Sequence, residues 1–131
     1  MKKELKVGIV GAPRGSGFVQ AIQTVSETAL VAMCDLRADV LNSSADRFGV
    51  EKRYTEFEEM ADSDLDIIVV STPMPLHVPH SVMALEKGKH VISEVPSATD
   101  LNQCWQLVQA VQKSGRKYMM AENYTYMKPN V

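Results

Sequence analysis

The sequence predicts an α/β fold: a doubly wound parallel sheet of about six strands in three layers, with helices on both faces. Three observations lead there. Short apolar runs alternate along the chain with segments whose apolar residues recur at helical spacing. The runs are continuously apolar rather than alternating, which marks strands covered on both sides. The glycine-rich stretch "GIVGAPRGSG" (8–17) falls where the first such strand would hand over to a helix. Right-handed crossovers then give the doubly wound arrangement.

Each element has its own warrant. "KVGIV" (6–10) reads as a buried strand, and Phe18, Ile22, Val25 and Ala29 follow at helical spacing. "LVAMC" (30–34) is a second strand, ending at Asp35. Leu41, Ala45 and Phe48 mark a helix that Gly49 can terminate. A short strand near Lys52–Tyr54 and a helical turn at Glu56–Met60 come next, the cluster Glu56, Glu58 and Glu59 forming a solvated face. "DIIVVS" (66–71) is the most apolar strand. The helix after it carries Pro79 in its first turn, Val78, Val82 and Leu85 on one face, and Gly88 past its end. "HVISE" (90–94) is a fifth strand. Thr99 can cap a helix with an apolar face of Leu101, Cys104, Trp105, Val108 and Val111, stopped near Gly115. Trp105 is expected in the core. "KYMMA" (117–121) closes as the sixth strand, with Met119 and Met120 as ordinary strand packing.

Composition narrows the function. The 131 residues suit one domain, 45% apolar and 23% charged, with a net charge of −2. That balance gives no electrostatic case for nucleic acid or a membrane surface as partner. No apolar run approaches membrane-spanning length. Cys34 and Cys104 lack metal-ligand spacing and suggest no disulfide framework, so a cytoplasmic location is expected.

The glycine segment is the candidate binding loop. In open α/β sheets ligands sit beyond the carboxyl ends of the strands, and the following helix turns its free N–H groups toward them. Gly11, Gly15 and Gly17 are spaced G-x-x-x-G-x-G, a departure from the usual dinucleotide fingerprint G-x-G-x-x-G. Pro13 stands where the second glycine would lie and has no N–H to give. Arg14 could offset that by reaching a phosphate, and Ser16 lies in the same loop. Asp35, 18 residues beyond Gly17, stands where a carboxylate would hold an adenosine ribose. An acid there disfavours a 2′-phosphate, so NAD is expected ahead of NADP, although Arg37 pulls the other way. The plainer reading is a strand–helix turn followed by an N-capping Asp. No Gly-Lys-Ser/Thr follows, which excludes a P-loop. A receiver domain would need acidic residues at the end of the first strand and an Asp ending the third, and neither is evident.

"STPMPLH" (71–77) and "GKHVISEVP" (88–96), together with "VGIVG" and "CDLRAD", resemble the N-terminal half of the Gfo/Idh/MocA oxidoreductase family over essentially the whole chain. The resemblance implies a Rossmann fold that binds NAD(P). Thr72, Pro73 and His77 match that family's Thr-Pro-Asn-x-x-His pattern, with Met74 in place of Asn, so this loop is expected beside the cofactor's ribose. The family's Glu-Lys-Pro appears here as Glu94-Val95-Pro96. Glu94 is placed for a cofactor or substrate hydroxyl, or for pairing with a nearby backbone N–H. Valine carries no proton, so Val95 cannot fill the lysine's role and no catalytic base is assigned. "EVPSATDLNQCWQLV" and "MMAENYTYM" resemble a Glu-Val-Pro subset similar to NAD-dependent glycosidases, which oxidise a sugar hydroxyl transiently, eliminate the aglycone and return the hydride.

The resemblance implies an organisation as well. Residues 1–121 would be the NAD(P)-binding domain, and 122–131 the start of a connection to a substrate domain that this chain lacks. The expected function is the nucleotide-binding part of an oxidoreductase acting on a sugar, cyclitol or related polyol, homo-oligomeric when whole and inactive as this chain alone. A redox-assisted glycosidase and a non-catalytic dinucleotide-binding module are the rivals. His77 could face the cofactor or serve as a capping or packing residue. His80 is expected to be exposed and His90 structural, while Asn123, Tyr124 and Tyr126 could face the pocket.

Overall fold

The computed structural model describes residues 3–123. Six strands, β1 (Leu5–Val10), β2 (Thr28–Cys34), β3 (Lys52–Tyr54), β4 (Ile67–Val70), β5 (His90–Ser93) and β6 (Tyr118–Met120), form one parallel sheet in the order β3-β2-β1-β4-β5-β6. This is the doubly wound Rossmann order, and β1 and β4 flank the point where the winding reverses. The helices are α1 (Ala12–Gly15), α2 (Val19–Thr24), α3 (Ala38–Phe48), α4 (Phe57–Asp62), α5 (His77–Glu86) and α6 (Leu101–Ser114). A 3-10 turn at Ser16–Phe18 joins α1 to α2, and another at Met74–Leu76 leads into α5.

The two-residue period of a strand explains why the sheet needs cover on both faces. Val7, Ile9, Met33 and Val69 point to one side, where Val19, Leu41 and Ala45 of α2 and α3 meet them. Val10, Cys34, Ile68, Val70 and Val91 point to the other, against Met60, Leu85 and Leu107 of α4, α5 and α6. Both cores are fully buried at their centres: Ile9, Met33, Met60 and Ile68 have no exposed surface.

Some elements differ from the sequence expectation. The second helical stretch ends at Thr24, and Ala29 lies in β2 opposite Lys6. The Thr28 hydroxyl donates to the Ile22 carbonyl at 2.7 Å and closes the helix early. The cap of α6 is Asp100, whose carboxylate accepts from the Gln103 N–H at 2.8 Å; Thr99 instead donates to the Gln103 side chain. Trp105 is 66% exposed rather than in the core, and Leu101, Cys104 and Val108 are exposed with it. The helix is anchored through Leu107, one residue off the expected stripe. Met119 and Met120 are also exposed, because β6 is an edge strand. Tyr124 and Tyr126 lie outside the described residues, and Asn123 is exposed.

Candidate functional site

At the carboxyl ends of β1, β2, β4 and β5 the chain leaves a cleft of about 570 Å³. Its floor depends on two glycines. Gly11 has a left-handed backbone, φ 87°, and a Cβ there would fall 2.4 Å from the Ser71 carbonyl oxygen. A Cβ on Gly15 would fall 2.1 Å from Ile9 Cγ2, so α1 lies directly on β1. Ser71 ties the same point together from β4, its buried hydroxyl donating to the Val10 carbonyl at 2.8 Å. In the sequence Ser71 has no role beyond ending the most apolar strand and opening "STPMPLH". Gly17 is different: it is exposed in the 3-10 turn, with no atom within 4 Å of a would-be Cβ. Gly15, Ser16 and Gly17 stand outside the cleft lining, and the Ser16 hydroxyl turns back to the Ala12 carbonyl.

The first turn of α1 has few amides to offer a ligand. Its opening N–H groups have no acceptor four residues back. The Ala12 N–H donates to Asp35 Oδ2 at 3.2 Å, Pro13 has none, and Arg14 supplies the next. Asp35 therefore links the end of β2 to the start of α1 while its carboxylate lines the cleft. The Arg37 N–H donates to Asp35 Oδ1 at 3.0 Å, and the Arg37 guanidinium lies 3.6 Å from the same oxygen. The carboxylate and the cation that argued for opposite cofactors are thus paired with each other.

Thr72, Pro73, Met74, Pro75, His77, Glu94 and Val95 line the facing wall, and Gly11, Pro13, Arg14, Asp35, Arg37 and Ser71 complete the cleft. Arg14 reaches across to Glu94, Nε to Oε1 at 3.2 Å. Glu94 also accepts from the Val95 N–H at 3.3 Å, which is the backbone pairing anticipated for it. The Val95–Pro96 peptide bond is cis. His77 is buried, each ring nitrogen facing a backbone carbonyl. His80, expected at the surface, is half-buried against the Phe57 ring and hydrogen-bonded to the Thr72 hydroxyl at 3.1 Å. Burial and neighbouring His77 push the His80 pKa below its ordinary value. His90 accepts from the Lys117 N–H at 2.9 Å, a structural role joining β5 to β6. The Cys34 thiol is pushed up to about 12 by burial, then by Asp35, Glu56 and Glu59, which makes it a poor nucleophile at neutral pH. Among the described residues no three His, Cys, Asp or Glu side chains converge as metal ligands would.

A glycine-tight strand–helix junction, a carboxylate at the end of the neighbouring strand and a cleft at the winding reversal define a dinucleotide-binding α/β domain. Residues 5–122 match the Gfo/Idh/MocA description "Oxidoreductase family, NAD-binding Rossmann fold", and the chain belongs to that family. It is 32% identical over 135 residues to a glycosyl hydrolase family 109 protein of Shewanella pealeana, covering 93% of this chain and 29% of the relative. It is 30% identical to an α-N-acetylgalactosaminidase of Shewanella oneidensis, with coverage of 93% and 29%. An Agrobacterium radiobacter oxidoreductase, solved with NAD+, L-tartaric acid and magnesium, superposes with a TM-score of 0.90 at 25% identity, over 97% of this chain and 38% of that one. The chain spans less than a third of the length of these curated relatives.

Proposed function

We propose that this chain is the NAD-binding domain of a protein that exchanges hydride with a sugar, cyclitol or related polyol. The observation that carries the reading is the pairing, in one cleft, of Gly11, which has no room for a side chain, with the Asp35 carboxylate one strand away. The residues present fit the cofactor. The Arg14 amide and guanidinium would meet the diphosphate, Asp35 would accept from an adenosine ribose, and the Thr72–Pro73 loop and Glu94 would border the other half. NAD, when bound, supplies the hydride acceptor or donor, and the domain's part is to orient it. Val95 lines the cleft where a proton carrier would be useful and can carry none, so no catalytic base is assigned.

Titrating the chain with NAD and NADP tests this. Asp35, already paired with Arg37, should favour NAD by about tenfold, and Asp35→Ser should abolish the preference. A preference of the wild-type chain for NADP would overturn the assignment.

A second reading, the redox-assisted glycosidase, draws support from the names of the two Shewanella relatives and from Glu94-Val95-Pro96. Aryl glycosides offered to the whole protein separate the two. Aglycone release that requires NAD without net NADH favours the glycosidase. Net NADH from a polyol favours the dehydrogenase, and NAD binding with neither favours a binding module.

A further inference from the structure

His77 is 2% exposed, and both ring nitrogens end on backbone carbonyl oxygens. Nδ1 lies 2.7 Å from the Pro96 oxygen and Nε2 lies 2.7 Å from the Thr72 oxygen. A carbonyl oxygen has no proton to give, so each contact is a hydrogen bond only if that nitrogen carries N–H. A neutral imidazole carries one N–H; only the imidazolium carries two. With one N–H, a buried lone pair would face a carbonyl at van der Waals overlap, an unsatisfied contact of the costly kind.

We propose that His77 is held as the doubly protonated cation, a positioning residue that clamps the loop after β4 to the segment after β5 and so sets the width of the cleft. Thr72 and Pro73 line one side of that clamp, and Glu94 and Val95 lie just before Pro96 on the other. The significance for cofactor binding rests on the NAD reading above; the protonation state does not.

The surroundings agree. Two charge-assisted hydrogen bonds offset the cost of burying the ring. On the same helix the nearest titratable group is His80, hydrogen-bonded to the Thr72 hydroxyl and held toward its neutral form by burial and by His77. The loop after β4 (Ser71, Thr72, Pro73) and the Val95-Pro96 segment offer no titratable side chain. From the remaining elements around the cleft come two carboxylates, Glu94 and Asp35, and two guanidiniums, Arg14 and Arg37, already paired with one another.

The test is a long-range proton–nitrogen NMR correlation on the 131-residue chain labelled with 15N-histidine, at pH 7.5 without cofactor. His77 is assigned by difference, using His77→Gln, or His80→Gln and His90→Gln should the first not fold. Two protonated ring nitrogens are expected, and one unprotonated nitrogen would overturn the proposal. The positioning role is read by NADH titration across pH in wild type and His77→Gln. The variant should bind about tenfold more weakly at pH 7, with little further change on raising the pH, whereas wild type should weaken toward it. Parallel pH profiles for the two would refute the clamp's influence on the cleft. Absence of any NADH binding by wild type would instead sink the NAD reading, with the NMR result still deciding the clamp.

Discussion

His80 shows how one half-buried side chain writes itself into the pH dependence of the fold. Packed on Phe57 and beside His77, it resists taking a proton, so its folded pKa lies below the ordinary 6.5. The unfolded chain binds that proton near 6.5 and the folded chain only at lower pH. Between the two values the unfolded state holds more protons, so acid favours unfolding. The stability that neutral His80 contributes is therefore complete above about pH 6.5 and is lost as the pH falls below it. Melting temperatures of wild type and His80→Gln should converge on acidification from pH 7 to 5.5; a constant gap would remove His80 as the cause. The sequence could not show this, because His80 follows Pro79 in a helix whose apolar face runs through Val78, Val82 and Leu85. Its partner Phe57 comes from a different helix, a contact that no local pattern reveals. Asp35 was legible for the opposite reason, since its meaning depends on chain position relative to two strands. The Arg14–Glu94 pair was not, because it joins the segments after β1 and β5, which only the assembled sheet brings together.

Helices and strands were read from period and punctuation, and they fail where a face has two possible neighbours. The α6 stripe of Leu101, Trp105 and Val108 has sound helical spacing, yet the helix lies on Leu107. Periodicity reports that a face is apolar and not what covers it. The β1–α1 junction was legible as glycine-rich, but the purpose of each glycine came only with the contacts. Gly11→Ala places a methyl against the Ser71 carbonyl in a left-handed backbone and should cost about 2 kcal/mol or more. Gly17→Ala meets nothing and removes backbone freedom from the unfolded chain, so it should be neutral or stabilise by up to about 1 kcal/mol. Urea melts of the two variants decide this; equal destabilisation would mean the loop needs Gly17 for a reason the contacts do not contain.

The molecule as a whole has a finished side and an unfinished one. The cleft lies at the reversal of the sheet order, walled by loops from four strands. On α6, Leu101 is 80% exposed and Trp105 66%, with Val108 also in solvent, and on the edge strand β6 Met119 and Met120 are exposed as well. Apolar exposure on that scale marks a surface that covers itself when it can, and an edge strand adds unpaired backbone groups to it. A net charge of only −2 gives little repulsion to oppose contact between copies. The 131-residue chain should therefore self-associate as its concentration rises, with the Trp105 indole moving to a drier environment as it does so. Sedimentation velocity with parallel tryptophan fluorescence measures both. Leu101→Lys combined with Trp105→Lys should hold the chain monomeric without lowering its melting temperature, because neither side chain contributes to the buried core. A wild-type chain that stays monomeric throughout, or a double variant that associates equally well, would show that this face is not where copies meet.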